Sequence, residues 1–169
     1  MSRKVLILDT SVLCCWLEVP GKETAGPADD PWDHARIAQL LAEERKIGST
    51  FVLPLATLIE TGNHIAQAPA QRYRCAKALA AQLRDAVDAS TPWAAFTEQS
   101  PLWNAASLQT LAETWPNLAN GGMSIGDATI KEVAEYYAQG GISVEILTGD
   151  AGLKAYEPAR PVQIPRRRR

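Results

Sequence analysis

Four acidic residues, Asp9, Glu60, Asp127 and Asp150, stand where an α/β chain can bring side chains to one edge. Asp9 directly follows the apolar run Val5-Leu6-Ile7-Leu8, and Asp150 closes a Thr148-Gly149 turn after Val144 to Leu147. Open α/β sheets bind their ligands beyond the carboxyl ends of the strands, where both acids fall. Glu60 lies early in the helix expected after a second apolar run, Phe51-Val52-Leu53, and Asp127 in the first turn of a helix opening at Ser124. Both can face the same edge. Four carboxylates gathered there repel and gain proton affinity unless a cation joins them. An all-oxygen donor set suits Mg²⁺ or Mn²⁺. Such ions commonly act on phosphate esters, where they activate water and offset charge. A zinc site has no basis: Cys14 and Cys15 are adjacent, Cys75 stands alone, and no C-x-x-C spacing occurs.

Each acid also has an ordinary structural role open to it. Asp9 can cap the helix that follows, and Ser124-Ile125-Gly126-Asp127 fits a capping box. Glu60 can face a helix dipole, and Asp150 can form a turn. Thr10 and Thr148 adjoin the acids and can orient a carboxylate. Asn63 and His64, one turn after Glu60, are candidate substrate contacts. Arg74, Lys77 and Arg84 share one face of an amphipathic helix over 71–88, which suits an RNA backbone or simply a solvated surface. Trp93, Trp103 and Trp115 can stack bases, although tryptophans more often pack.

Strands and helices must position these residues. Val5–Leu8 reads as a strand buried on both faces, and a helix carrying Val12, Leu13, Trp16 and Leu17 follows. Residues 18–31, with three prolines and two glycines, read as an exposed loop. Asp33 caps a helix bearing Ile37, Leu40 and Leu41. A strand over 51–53, a helix from about Leu58 to Ala66, and the helix over 71–88 with Leu79, Leu83 and Val87 on one face come next. Residues 90–121 break the pattern with Pro92, Pro101 and Pro116 and read as a Trp-rich insertion. A helix over 124–139, a strand over 144–147, a short helix over 152–156 and a last edge strand over Pro161–Ile164 complete the chain. This alternation predicts a single α/β domain over 1–165, three-layered, with a central, mainly parallel sheet. A basic tail, Arg166 to Arg169, ends it.

The chain has 169 residues, 46% of them apolar and 21% charged, which excludes intrinsic disorder. Its formal charge of -2 conceals an asymmetry. Setting the four terminal arginines aside leaves 13 basic groups against 19 acidic ones, so the body does not coat duplex nucleic acid by bulk charge. Asp9 interrupts the N-terminal apolar run too early for a signal peptide or a membrane span, which predicts a cytoplasmic protein.

At the acids the sequence resembles the PIN-domain nucleases. Leu8-Asp9-Thr10-Ser11-Val12-Leu13 looks like the opening motif of that family, and Leu55-Ala56-Thr57-Leu58-Ile59-Glu60 is similar to the segment carrying its glutamate. Gly126-Asp127-Ala128-Thr129-Ile130 matches the third acid, and Leu147-Thr148-Gly149-Asp150-Ala151-Gly152-Leu153 the fourth. The order of the motifs, more than any one of them, carries the likeness. The resemblance implies a PIN-like fold and an Mg²⁺- or Mn²⁺-dependent endoribonuclease, with Asp9, Glu60, Asp127 and Asp150 as catalytic metal ligands. Many small members are VapC-type toxins, often dimeric, each held inactive by an antitoxin, so an antitoxin and a second copy join RNA among the implied partners. The long stretch between Glu60 and Asp127 departs from those smaller toxins. Two other readings stand beside this one. A PIN-like scaffold could bind RNA or protein without cutting. An α/β phosphatase could use Asp9 as nucleophile, but such enzymes normally carry an acid two residues on, and position 11 is Ser.

Overall fold

The computed structural model describes residues 4–162. Three strands, β1 (Lys4–Leu8), β2 (Thr50–Val52) and β3 (Ser143–Leu147), form an all-parallel sheet in the order β2-β1-β3. β1 is central, with Leu6 opposite Phe51 on one side and Glu145 on the other. Its position explains its composition. Leu6 and Leu8 face a core formed with α1 (Thr10–Trp16), α2 (His34–Lys46), α3 (Leu55–Gln67) and α4 (Arg72–Val87). Val5 and Ile7 face a second core, shared with α6 (Ile125–Ala138) and α7 (Ala151–Lys154). A strand with helices over both faces must be apolar at consecutive positions, as Val5–Leu8 is. The chain therefore has the α/β architecture, helices layered on each side of a parallel sheet.

Between α4 and α6 the chain is more regular than its prolines suggest. Residues Phe96–Trp103 form a 3₁₀ helix, and α5 runs over Ala105–Asn120 with Pro116 inside it. The expected irregular insertion is thus largely helical. Leu111 is the one buried residue of α5, although Leu108, Leu111, Trp115 and Leu118 recur at helical spacing; Pro101 and Pro116 mask that pattern. Trp93 packs edge-on against Phe51, with centroids 5.8 Å apart, and residues 92–94 bridge to the outer edge of β2. The Trp115 indole donates to the Met123 carbonyl. These two tryptophans serve packing.

Three other expectations need correction. α3 begins at Leu55, three residues earlier than expected, because Pro54 supplies an extended N-cap with φ −63°. On α4 the buried face carries Cys75, Leu79 and Ala86, while Val87 is exposed. Pro161 and Val162 are not in a strand, and the rest of that expected strand, with Arg166 to Arg169, lies outside the described residues. Among the described residues no helix is long and apolar enough to cross a membrane.

Candidate active site

Because the three strands are parallel, their carboxyl ends share one edge of the sheet. Asp9 and Thr148 emerge there side by side, and the Asp9 amide donates to the Leu147 carbonyl at 3.1 Å. The Thr57 hydroxyl donates to the Leu8 carbonyl at 2.8 Å, which fixes the start of α3 beside the end of β1. One cleft of about 650 Å³ opens at this edge, lined by Asp9, Thr10, Ser11, Glu60, His64, Asp127 and Asp150. Four acids far apart in sequence and carried by four segments thus face the same space.

Three of the acids sit at or near a helix start, and Glu60 lies midway along α3. Asp9 is the N-cap of α1, and Asp150, the N-cap of α7, accepts on Oδ1 from the amides of Gly152 and Leu153. Asp127 lies in the first turn of α6, where its amide donates to the Ser124 hydroxyl at 3.0 Å. Capping therefore accounts for much of the local placement. It does not account for how the oxygens are shared out. Asp9 Oδ2 takes the Ser11 and Thr148 hydroxyls, each at 2.8 Å, and the Ser11 amide at 3.4 Å. Thr148 in turn accepts from the Asp150 amide, and Ser11 from the Gly149 amide. Thr10 donates to Glu60 Oε2 at 2.9 Å. Asp9 Oδ1, Glu60 Oε1 and Asp150 Oδ2 receive no hydrogen bond among the described residues.

The electrostatics match this crowding. Burial pushes the Asp127 carboxyl above its ordinary range, Ser124 pulls it back, and the charges of Asp9 and Asp150 push it up again. Lys22 and His64 are the basic side chains on the cleft wall, against four carboxylates. Among the described residues no three His, Cys, Asp or Glu side chains stand close enough to form a ready-made metal cluster, so the acids share a cleft and not a closed coordination shell. The donor chemistry still fits a hard divalent cation. The uncommitted atoms are carboxylate oxygens, and a cation would relieve their mutual repulsion.

Several residues the sequence reading passed over belong to this edge. Ser11 holds Asp9, and its place in Asp9-Thr10-Ser11 was the available signal. Residues 22–27, expected to be merely an exposed loop, form one wall of the cleft. This strap is pinned by an Ala25–Trp32 bridge and by a Cys15 thiol that donates to the Glu23 carbonyl. Gly149 has no room for a Cβ, which would overlap the backbone of Gly26. Gly126 is equally confined: a Cβ there would overlap Glu60 Oε1. Cys14 lines the floor, and burial pushes its thiol up to about 11, so it behaves as a small apolar residue and not a nucleophile.

The other expected contacts lie elsewhere. Asn63 is exposed on α3 and does not line the cleft. The guanidinium of the exposed Arg74 donates to the Leu17 and Glu18 carbonyls just past the end of α1, and Arg74 does not line the cleft. Lys77 and Arg84 are exposed on α4, away from the acids. Comparison with protein-family models, with curated proteins and with solved structures finds no match for this chain.

Proposed function

We propose that this protein is a PIN-like endoribonuclease that uses Mg²⁺ or Mn²⁺, held by Asp9, Glu60, Asp127 and Asp150, to hydrolyse phosphodiester bonds. The observation that carries the reading is the convergence of these four acids on one cleft at the carboxyl edge of a parallel sheet. When bound, the cation offsets the charge of the attacked phosphate and activates water. The chain's own side chains keep the acids in place. Ser11 and Thr148 fix one Asp9 oxygen, and Thr10 fixes one oxygen of Glu60, whose other oxygen lies close to Gly126. Lys22, on the strap, offers a positive charge to an approaching phosphate at the cleft wall.

The test is cleavage of labelled single-stranded RNA and DNA by the purified protein in Mg²⁺, in Mn²⁺ and in EDTA, beside Asp9→Asn. Asparagine caps a helix as well as aspartate does, so the variant should fold while losing the charge. Metal-dependent RNA cleavage that disappears in Asp9→Asn is the expected result. No cleavage of any substrate, with calorimetry showing no uptake of Mn²⁺, would overturn the proposal and favour the non-cutting scaffold.

A further inference from the structure

Beside the carboxylate cleft lies a second hollow, of about 350 Å³, between α3, the end of the 3₁₀ helix, α5 and the start of α6. The two share Glu60, and Gly126 and Asp127, neighbours in sequence, line the hollow and the cleft respectively. We infer that this hollow receives an unpaired nucleobase of the strand whose phosphate lies at the acids, an inference that rests on the ribonuclease reading above. Its chemistry suits a base and not a phosphate. Glu60 is the one charged side chain in the lining, and the Thr129 hydroxyl is already donated to the Gly126 carbonyl. Ile59, Ile125 and Leu108, three of the large apolar residues left exposed, meet there beside the half-buried Trp103. Holding three such side chains in water forfeits burial that a planar apolar partner would recover.

Size and position narrow the occupant further. The volume sits at the small end of ligand sites, room for a heterocycle, whereas a docked helix needs a row of anchor pockets. Continuity through Glu60 puts the hollow within reach of a nucleotide already held at the carboxylates. A base stacked and paired in a duplex cannot turn its face into such a hollow, so the site selects single-stranded or looped substrate.

The experiment is an abasic scan. A short single-stranded RNA, and versions with one base removed at each position in turn, are titrated against the full chain by fluorescence anisotropy, with Ca²⁺ in place of Mg²⁺. Ile59→Ser/Ile125→Ser is the partner variant; both positions are about half exposed, so the fold should tolerate it. Removing one particular base should weaken wild-type binding by about tenfold, within the range for one base on an apolar platform. The double variant should bind the intact strand correspondingly less well and show no such position. If wild type binds RNA but its abasic scan is flat, or the double variant keeps the same penalty, the base site is overturned and the nuclease reading stands. If wild type neither binds nor cuts any nucleic acid, both fall. If light scattering shows a dimer that the double variant dissolves while the abasic penalty stays, the hollow is a face between copies and the base site is overturned.

Discussion

Gly126→Ala separates what the fold needs from what the site needs. Gly126 lies in the first turn of α6, where alanine would ordinarily stabilise by up to about 1 kcal/mol. The new Cβ would, however, overlap Glu60 Oε1, the far end of a flexible side chain. The carboxylate yields more readily than the backbone, so Glu60 should swing off the Thr10 hydroxyl that holds it. Losing that charge-assisted bond costs about 1.5–3 kcal/mol, and the cleft is open to water, so the lower end applies. The variant should therefore lie within about 1 kcal/mol of wild type by urea unfolding, since the two effects oppose. Cleavage should fall by about a hundredfold, the usual consequence of displacing a catalytic group by an ångström. A double-mutant cycle makes the reasoning strict. In a Glu60→Ala background the overlap is gone, and Gly126→Ala should become stabilising by up to about 1 kcal/mol. Equal unfolding free-energy changes in both backgrounds would refute the account, as would full cleavage activity in Gly126→Ala.

Gly149→Ala should behave in the opposite way, because its Cβ meets the Gly26 backbone, with Gly26 Cα at 2.9 Å, and backbone cannot swing aside. A loss of about 1–3 kcal/mol by thermal unfolding, with faster proteolysis within residues 18–33, is expected; a variant as stable and as resistant as wild type would show that the strap is not fixed by this contact. Glu145 gives a pH dependence: burial pushes its carboxyl up, but Lys4 at 2.5 Å and Lys154 at 3.6 Å outweigh this and hold it below its ordinary 4.5. A lowered folded-state value adds stability that is complete above 4.5 and lost as pH falls through that value, so Glu145→Gln should be less stable than wild type at neutral pH and converge with it in acid; parallel stability curves would contradict this. Asp127→Asn should stabilise the metal-free protein by about 0.5–1 kcal/mol in EDTA, because it removes a charge that is disfavoured by burial and then by Asp9 and Asp150. Calorimetry in EDTA showing it less stable than wild type would mean that the carboxylate serves the fold.

The sequence disclosed the parts of this architecture that follow from local pattern. A continuous apolar run needs cover on both faces, and Val5–Leu8 has it. Ser124 and Asp33 cap the helices expected of them, because a side-chain acceptor three residues before an amide is a short-range arrangement. The convergence of the acids was legible for a related reason, since parallel strands bring every strand end to one edge. What stayed hidden depends on tertiary approach or on weak pattern. Gly126 and Gly149 owe their identity to atoms of Glu60 and Gly26, distant in sequence. α5 hides because Pro116 and the neighbouring prolines mask it, although Leu108, Leu111, Trp115 and Leu118 recur at helical spacing along it. Arg74 was grouped with Lys77 and Arg84 by helical face alone, yet its hydrogen bonds run to Leu17 and Glu18.

Capping explains where Asp9, Asp127 and Asp150 stand but not why they are charged. Asparagine accepts the same amide bonds at a helix start, and serine serves nearly as well, as Ser124 shows in this chain. The Asp127 carboxyl is raised first by burial and further by the charges of Asp9 and Asp150, and among the described residues Lys22 and His64 are the basic groups lining the cleft. A chain with structural requirements alone has no reason to keep that cost, particularly with a fourth acid, Glu60, lining the same cleft. Groups that oppose stability at a cleft while their neighbours hold them in place are the mark of a site built for a ligand of opposite charge. The hydroxyls of Thr10, Ser11 and Thr148 bear on the same proposal: each fixes an acid by one oxygen, an arrangement that capping alone does not require.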